Sequence, residues 1–220
     1  MVLVNLIIIF LPWFIRRRIL VRFYGYDIHP TATIGLSYIY PKQLEMGPHS
    51  RIHNLVVCRS IDSLKMGSDS GIANSTFITG FSVENTEYFS GELRRCELVL
   101  GKSAGITSRH FIDCNGGVYV GDYSTIAGLR SQILSHSIDL YENRQSTKPV
   151  KIGKYCFVGS GCIFLPGSAV PDFCIVGAGS VVNKTFENQL KVIAGNPAKE
   201  SKNIDKASVG YFFRKQHVVH

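Results

Sequence analysis

The sequence lacks several features that would assign it to a common class of protein. None of its six cysteines is part of a C-x-x-C pair, so the usual spacing of a zinc site is absent, and reduced cytoplasmic thiols are the simplest account of them. No basic stripe runs along the chain, because residues 31–183 hold 13 Lys and Arg against 12 Asp and Glu. The net charge of +8 therefore comes from the two ends, which argues against a nucleic-acid-binding protein.

No apolar run near the amino terminus is long enough to cross a bilayer. Residues 2–15 are almost wholly apolar, but a spanning helix needs about 20 such residues. The pattern also differs from a secretory signal, because the positive charge follows the apolar core and no small-residue cleavage site comes after it. Residues 1–26 are instead predicted to form a short helix. One apolar helical face is predicted, with Trp13 beside it and the arginines elsewhere: the face comprises Ile15, Ile19, Leu20 and Phe23, and the arginines are Arg16, Arg17, Arg18 and Arg22.

Two roles remain open for this amino-terminal helix. It is either an interfacial anchor, in which residues 2–23 contact the anionic cytoplasmic face of a membrane, or it docks over the open end of a β-structure and shields its edge. The apolar face and the arginines favour the first role.

What the sequence does contain is a six-residue period. Each unit opens with an aliphatic residue, usually followed by a small one, and has a small residue at its fifth place. An α-helix would require a spacing near 3.6 and a simple strand a spacing of two, so period six predicts short strands separated by tight corners. Coils of such strands bury one another's faces when they stack, as in repeat solenoids. The units include MGPHSR and IHNLVV at 46–57, MGSDSG and IANSTF at 66–77, LGKSAG, ITSRHF and IDCNGG at 100–117, VGDYST and IAGLRS at 120–131, and IGKYCF, VGSGCI, VPDFCI and VGAGSV from Ile152 onward.

Three stretches within this pattern carry a resemblance to a known family. They are VGAGSVVNK at 176–184, VIAGNPAK at 192–199 and SHSID at 135–139, the last of which is similar to an HPxD-like active-site stretch. Together with the hexads, they resemble the hexapeptide-repeat acyltransferases. Within that family, the chain is most similar to the sugar O-acetyltransferase branch, which includes maltose, galactoside and colanic-acid acetyltransferase-like proteins. The resemblance covers residues 27–200.

The resemblance implies an all-β fold, a left-handed parallel β-helix with three hexads in each triangular coil. This handedness is opposite to that of the usual right-handed crossover. The implied domain comprises residues 27–186, preceded by the short helix and followed by a basic tail at 187–220. Two stretches interrupt the hexads and are predicted to be side loops, namely residues 81–97 and residues 137–149.

The resemblance also implies an enzyme, which transfers an acetyl group directly from acetyl-CoA to a sugar hydroxyl in a ternary complex. His136 matches the family's catalytic base, and a histidine with a pKa of about 6.5 is suited to taking the hydroxyl proton near neutral pH. Such a base needs a partner that fixes its tautomer. Asp139 matches the family's aspartate position. Asp113 and Asn115 are alternatives, because they should lie on the coil below, near the corner where the second loop departs.

The fifth places of the hexads are predicted to point into the crowded interior. Cys156, Cys162 and Cys174 occupy three of them as compact core residues. His110 fills another, and Arg130 fills the matching place one coil later. Either this corner is widened for a ligand, which makes His110 a further candidate catalytic residue, or the two side chains stack at the surface.

By resemblance, acetyl-CoA is the co-substrate and no metal is implied. In the family, pantetheine lies in a groove between neighbouring β-helices of a homotrimer, so Ser160 and Ala178 are predicted to contact it. Lys184 and Lys199 match positions where the family has basic residues near the CoA phosphates. The chain departs from the sugar branch at NPAK, where an arginine is common.

The expected acceptor is a saccharide, and the expected setting is surface-polysaccharide biosynthesis in the cytoplasm or at the cytoplasmic face of the inner membrane. Two other functions are consistent with the same fold. One is an amino-sugar N-acetyltransferase, and the other is a non-catalytic hexapeptide scaffold that only binds partners. Affinity for CoA would distinguish the enzymes from the scaffold.

Overall fold

The computed structural model describes residues 2–85, 87–89 and 91–215. Most strands in these ranges have only two to four residues, and they alternate among three sheets. Each strand in the coils pairs in parallel with strands one coil before and after it, so the chain winds as a three-sided helix of β-strands. The predicted all-β fold, a left-handed parallel β-helix, is confirmed.

Two helices precede the strands, α1 (Val2–Ile9) and α2 (Trp13–Tyr24). The first strands are β1 (Asp27–Ile28), β2 (Thr33–Ile34), β3 (Tyr38–Tyr40), β4 (Gln43–Met46), β5 (Arg51–Ile52), β6 (Val57–Arg59), β7 (Ser63–Met66), β8 (Gly71–Ile72), β9 (Phe77–Thr79), β10 (Glu97–Leu100), β11 (Gly105–Ile106), β12 (Phe111–Asp113) and β13 (Val118–Val120). The later strands are β14 (Thr125–Ile126), β15 (Gln132–Leu134), β16 (His136–Asp139), β17 (Arg144–Thr147), β18 (Val150–Ile152), β19 (Phe157–Val158), β20 (Ile163–Phe164), β21 (Ala169–Val170), β22 (Ile175–Val176), β23 (Val181–Val182), β24 (Lys191–Gly195) and β25 (Ala198–Asn203). Two short 3-10 helices follow, at Lys206–Ser208 and Gly210–Phe213.

The three faces of the β-helix are three separate sheets. Sheet A has the order β1-β4-β7-β10-β13-β18-β21, sheet B the order β2-β5-β8-β11-β14-β19-β22-β24-β25, and sheet C the order β3-β6-β9-β12-β15-β20-β23. An additional antiparallel hairpin, β16 with β17, lies outside the coils and occupies most of the predicted loop at 137–149. The coil resumes at β10 after the predicted loop at 81–97, so that β10 begins at the last residue of that loop.

Aligned aliphatic side chains form the core. On sheet B, Ile52, Ile72 and Ile106 are register partners in successive coils, and none of them is more than 2% exposed. The hexad pattern produces such columns because each unit opens with an aliphatic residue at the same point of the coil. The fifth-place cysteines are fully buried, as predicted: Cys156, Cys162 and Cys174.

Helix α2 closes the amino-terminal end of the stack. The first coil has no preceding strand, so its backbone carbonyls at that end need donors from elsewhere. Trp13 Nε1 donates to the carbonyl of Ala32 at 3.1 Å. The guanidinium of Arg16, which is 2% exposed, donates to the carbonyls of Gly35 at 2.7 Å and Ser37 at 2.8 Å. The helix therefore caps the open end of the β-helix, which is one of the two roles that the sequence left open.

The amino-terminal segment differs from its prediction in two respects. It forms two helices instead of one, because Pro12 lies between them and starts the second. The predicted apolar face is also divided between the interior and the surface: Leu20 is buried, but Ile15 and Phe23 are 37% and 78% exposed. Arg16 takes the buried side because its guanidinium supplies the donors that the coil carbonyls require. In the described part of the chain, no helix is both long and apolar enough to cross a bilayer.

The β-helix continues beyond its predicted end at residue 186. Strand β24 pairs in parallel with β22 and adds a strand to sheet B, and β25 then folds back antiparallel on β24. Further along, the hydroxyl of Tyr211 donates to the carbonyl of Cys156 at 3.0 Å, and Phe212 is buried. Residues 191–203 and 211–212 of the predicted tail are therefore packed on the coils. Residues 216–220 lie outside the described residues.

We expect Gly121→Ala to destabilise the protein because successive coils nearly touch at this corner. A Cβ atom at Gly121 would lie 2.6 Å from the backbone carbonyl of Gly153 in the next coil. The free energy of unfolding, measured by urea denaturation, should fall by about 1–3 kcal/mol. Gly105→Ala is the matched control, since its Cβ would meet nothing closer than Thr125 Cγ2 at 4.0 Å. Equal stabilities of the two variants would contradict the close stacking.

Candidate active site

The second predicted loop leaves the β-helix directly above Asp113. This residue ends β12, and its register partner in the next coil, Leu134, ends β15. Ser135 and His136 follow, at the point where the chain departs into the β16–β17 hairpin. Their backbone N–H groups need acceptors, because the interrupted coil does not supply them. Asp113, which is 2% exposed, lies where its carboxylate can do so.

The Asp113 carboxylate accepts five hydrogen bonds, three on one oxygen and two on the other. Oδ2 accepts from the backbone N–H groups of Ser135 at 2.9 Å and His136 at 3.1 Å, and from His136 Nδ1 at 2.5 Å. Oδ1 accepts from Asn115, through its backbone N–H at 3.1 Å and its side-chain Nδ2 at 2.6 Å. A buried carboxylate is strongly destabilising unless it is paired and hydrogen-bonded, so these donors are the reason it can lie there.

The same carboxylate fixes the tautomer and orientation of His136. A neutral imidazole that donates Nδ1–H to Asp113 has an unprotonated Nε2, which is then the acceptor. The side chain of His136 is 34% exposed, and none of the hydrogen bonds among the described residues uses Nε2. The hydrogen bond that His136 donates to Asp113 raises the pKa of His136, against the opposing effect of partial burial. The pair is therefore a half-buried base held by a buried acid.

Asn115 connects this pair to the first loop. Its Nδ2 donates to Asp113 and lies 3.3 Å from His136 Nδ1, which is a contact between two donors when Nδ1 carries its proton. Its Oδ1 accepts from the backbone N–H of Phe81 at 2.7 Å. The amide therefore braces Asp113 and holds the start of the first loop beside His136.

Aromatic and basic residues of the first loop lie against the imidazole. The ring of Phe89 meets the ring of His136 edge-on, with 6.0 Å between centroids and 83° between planes. The guanidinium of Arg94 lies 4.3 Å from the Phe89 centroid and donates to the carbonyls of Phe81 at 2.6 Å and Ser82 at 2.7 Å. Arg94 thus orders the loop and holds Phe89 in place.

Glu92 joins the first loop to the second. Its carboxylate accepts from Thr147 Oγ1 at 3.0 Å and from Arg144 Nη1 at 2.9 Å. Thr147 is the register partner of His136 across the hairpin, so this contact lies beside the catalytic candidate. The two excursions from the hexad pattern therefore meet at His136. Both loops were predicted from the sequence because of their length, but no pattern in the sequence indicated Phe89, Glu92 or Arg94 individually.

Asp139 does not approach His136 as a partner. It lies at the far end of β16, about 10 Å along an extended strand from His136. Its Oδ1 accepts from the backbone N–H groups of Tyr141 at 3.0 Å and Glu142 at 3.1 Å, which stabilises the hairpin turn. Of the three partners considered, the structure brings Asp113 and Asn115 to His136 and leaves Asp139 in the turn.

His110 is a core residue apart from this cluster. It is 2% exposed, its Nε2 pairs with Thr107 Oγ1 at 2.9 Å, and its Nδ1 accepts from the N–H of Ser131 at 3.1 Å. Burial lowers the pKa of His110 to about 4. Ser131 occupies the matching place one coil later, because that coil has one additional residue, and Arg130 is exposed. Neither predicted role for a pair of His110 and Arg130 therefore applies.

The four residues predicted to contact CoA lie on the later coils. Ser160 and Ala178 are exposed one coil apart, at the same corner between sheets B and C. Lys184 follows β23, with Nζ 5.2 Å from the ring centroid of Phe186. Lys199 belongs to β25, so the two lysines lie on separate elements. Within the described ranges, no group of three or more His, Cys, Asp or Glu side chains could hold a metal ion.

Comparison with known proteins identifies a relative in sequence. Galactoside O-acetyltransferase of Escherichia coli (strain K12) is 29% identical over 105 residues, which make up 46% of this chain and 51% of that protein. The chain therefore spans about half the length of the curated relative that it matches. No family model matches the chain.

Solved structures with the same fold extend the comparison. The polysialic acid O-acetyltransferase OatWY has a TM-score of 0.60 at 19% identity, covering 84% of this chain and 90% of that one. A hexapeptide-repeat acetyltransferase from Vibrio cholerae O1 biovar eltor, complexed with acetyl coenzyme A, has a TM-score of 0.53 at 18% identity, covering 64% and 72%. A maltose O-acetyltransferase from Clostridium difficile 630 has a TM-score of 0.51 at 21% identity, covering 64% and 69%. The chain has the fold of the hexapeptide-repeat acetyltransferases, and the resemblance predicted from its motifs is confirmed.

The histidine pKa values provide a test of this geometry that does not depend on any activity. We expect the ring of His136 to titrate above about 6.5 in the wild-type protein, because Asp113 stabilises its charged form. Asp113→Asn should lower that pKa, since a neutral amide cannot stabilise the imidazolium. The measurement is the pH titration of the histidine ring signals by NMR.

His110 is the internal control, with a pKa of about 4 in both proteins. A change in the His110 signal would report loss of the fold. An unchanged His136 titration in a folded Asp113→Asn variant would contradict the pairing.

Proposed function

We propose that the protein is an acetyltransferase that moves an acetyl group from acetyl-CoA to a hydroxyl of a sugar. The observation that carries this proposal is the pair formed by buried Asp113 and half-exposed His136, at the corner where both loops meet. An oriented imidazole with a free Nε2 is the group that deprotonation of a hydroxyl requires. The names of the similar proteins agree with this chemistry, since they include galactoside, maltose and polysialic acid O-acetyltransferases.

In the proposed reaction, His136 is the general base. Its Nε2 takes the proton of the sugar hydroxyl as the hydroxyl oxygen attacks the thioester carbonyl carbon. The C–O bond forms, and the carbonyl oxygen becomes an oxyanion that backbone N–H groups can stabilise. When the tetrahedral intermediate collapses, the C–S bond breaks and the imidazolium returns its proton to the CoA thiolate. The products are the sugar acetyl ester and CoA, and the base is regenerated.

Asp113 is a positioning residue in this scheme. Its Oδ2 holds the Nδ1 proton, so Nε2 is presented in the acceptor form, and its charge stabilises the imidazolium that forms during the attack. The raised pKa of His136 has a cost, because the base must be neutral to act. Activity should therefore be lost as the pH falls through the pKa of His136.

We further propose that CoA lies in a groove between neighbouring β-helices of a homotrimer. Each sheet of one β-helix is flat, and a groove built by two of them encloses a long cofactor better than one face can. Ser160 and Ala178 are the candidate contacts for pantetheine, because both are exposed at one corner with small side chains. Lys184 and Lys199 are exposed and are the candidates for the CoA phosphates.

The acceptor that we propose is a sugar of a surface polysaccharide, acetylated on the cytoplasmic side during assembly. This choice rests on the apolar, arginine-rich amino-terminal segment, because contact of residues 2–23 with a membrane would favour a lipid-linked sugar as the acceptor. A panel of neutral, acidic and amino sugars, with products identified by mass spectrometry, tests it. Acetylation of an amine in place of a hydroxyl would replace the proposed reaction with N-acetyl transfer.

We expect His136→Ala to lower turnover by about 10²–10⁴, because the general base is lost. CoA binding and the thermal transition should remain near wild type, since the side chain is only half-buried. The release of free CoA thiol in the presence of an accepted sugar measures the rate. His53→Ala is the matched control, an exposed histidine on another corner. Retention of more than about a tenth of wild-type turnover by His136→Ala would rule out the assigned role.

The cofactor assignment predicts a modest, salt-sensitive effect of charge. Changing Lys184 or Lys199 to Ala should weaken CoA binding about fivefold, or about 1 kcal/mol, because an exposed lysine interacts with phosphate as a screened point charge. Binding of dephospho-CoA should be less affected for at least one of them, since it lacks the 3′-phosphate. Calorimetry at two salt concentrations measures both. Wild-type affinity for both ligands at each salt concentration would remove these residues from the site.

A further inference from the structure

The amino-terminal helix α1 is apolar on the side that faces away from the β-helix as well as on its buried side, where Ile8 and Ile9 lie. Its one polar residue, Asn5, is 5% exposed, and the Asn5 Oδ1 accepts from the hydroxyl of Tyr24 at 2.6 Å. The opposite side of the helix is wholly apolar and exposed. Its residues are Leu3 at 76%, Val4 at 56%, Leu6 at 45% and Ile7 at 62%, and Phe10, directly after the helix, is 77% exposed. At 100° per residue the four side chains within the helix fall on one continuous arc.

Helix α2 also exposes apolar side chains. Arg16 points into the structure, while Phe14 is 63% exposed and Val21 is 39% exposed. Capping explains the inward side of α2, because Trp13 and Arg16 supply donors to the first coil. Capping does not explain why the outward side is apolar, since a polar residue would serve equally well there.

Large exposed apolar patches of this kind mark surfaces that are covered by something else. We define the outward face as seven exposed apolar side chains of the two helices and the turn between them: Leu3, Val4, Leu6, Ile7, Phe10, Phe14 and Val21. Both helices pack on the first coil with their other sides, so the outward face points away from the β-helix.

Charge distinguishes the possible occupants. Arg18 and Arg22 are exposed on the same arc of α2 as Phe14 and Val21, and residues 1–26 contain no Asp or Glu. A second copy of the chain on this face would bring two sets of arginines together without a compensating acid from either segment. An anionic lipid surface would compensate them, and each basic residue near such a surface adds about 1 kcal/mol.

The dimensions of α1 also fit a position within the interface. Eight residues at about 1.5 Å each give a helix about 12 Å long, which matches a segment lying along the surface with one face among the acyl chains. Phe side chains are typical of the membrane-facing side of such segments. Phe10 and Phe14 lie on either side of the break at Pro12, at the tip of the helical pair.

We propose that the outward face of α1 and α2 binds the surface of an anionic bilayer, and thereby attaches the capped end of the β-helix to a membrane. Asn5, Trp13, Arg16 and Leu20 fasten the two helices to the coils, and the outward face enters the interface. Arg18 and Arg22 contact the anionic headgroups.

The test is cosedimentation of the full chain with vesicles of phosphatidylcholine alone and of equimolar phosphatidylcholine and phosphatidylglycerol. Wild type should partition onto the anionic vesicles and much less onto the neutral ones, and added salt should weaken the binding. The double variant Ile7→Glu with Phe10→Glu should lose at least about tenfold in partitioning, as should Arg18→Glu with Arg22→Glu. The controls are Leu140→Glu and Arg130→Glu, which alter exposed residues on other parts of the molecule and should bind like wild type.

All the altered side chains are exposed, so thermal transitions should match that of wild type. Equal partitioning of wild type and both double variants would overturn the proposal. It would also be overturned if wild type ignored anionic vesicles while Ile7→Glu with Phe10→Glu reduced the number of chains in the particle, measured by light scattering. That result would identify a second copy as the occupant. These readouts involve no acetyl transfer, so they are independent of the proposed function.

Discussion

The structure depends on one constraint: a backbone group at the edge or break of a parallel stack must find its hydrogen-bond partner elsewhere. Inside the stack, neighbouring coils satisfy one another, as when the N–H of Gly35 donates to Ile52 and that of His53 donates to Ile72. Where the stack begins or is interrupted, a side chain must supply the missing partner. The positions of Arg16 and Asp113 both follow from this requirement.

At the beginning of the stack, Arg16 supplies donors to carbonyls of the first coil. At the interruption, Asp113 supplies an acceptor to the N–H groups of Ser135 and His136. The second case also creates the candidate site, because the carboxylate that satisfies the backbone of His136 is the one that holds its imidazole. A structural need of the β-helix and a chemical need of a general base are thus met by the same residue. Besides this carboxylate, the site requires a loop that leaves the coil one residue before a histidine.

Local patterns made the fold predictable. The spacing of aliphatic and small residues in VGAGSV or VGDYST reflects one coil's own packing, so period six could be read from the sequence and the stacked sheets followed. The place of His136 beside a loop could be read in the same way. The sequence could not decide whether Asp113 or Asp139 is the partner of His136, because that choice depends on the register between coils. Asp113 is 23 residues from His136 in sequence and is hydrogen-bonded to it, whereas Asp139 is three residues away and lies in a turn.

The contacts between the two loops also could not be predicted from the sequence. Glu92 and Thr147 are 55 residues apart in segments without a period, so no spacing connects them. The inward position of Arg16 was missed for a related reason. A helical projection ranks side chains by hydrophobicity, but the inner side of α2 was decided by the carbonyls that it had to satisfy. In both cases the interacting residues are far apart in the sequence and belong to no repeating pattern, so the sequence alone did not pair them.

We propose that His136, held by Asp113, acts on a sugar hydroxyl next to the thioester of acetyl-CoA. A crystal structure of the protein with CoA and an accepted sugar is the decisive test. We expect a trimer with CoA between two chains, and a sugar hydroxyl oxygen within about 2.6–3.2 Å of His136 Nε2, which is hydrogen-bonding reach for a general base. CoA bound away from this corner, with no acceptor hydroxyl near Nε2, would contradict it.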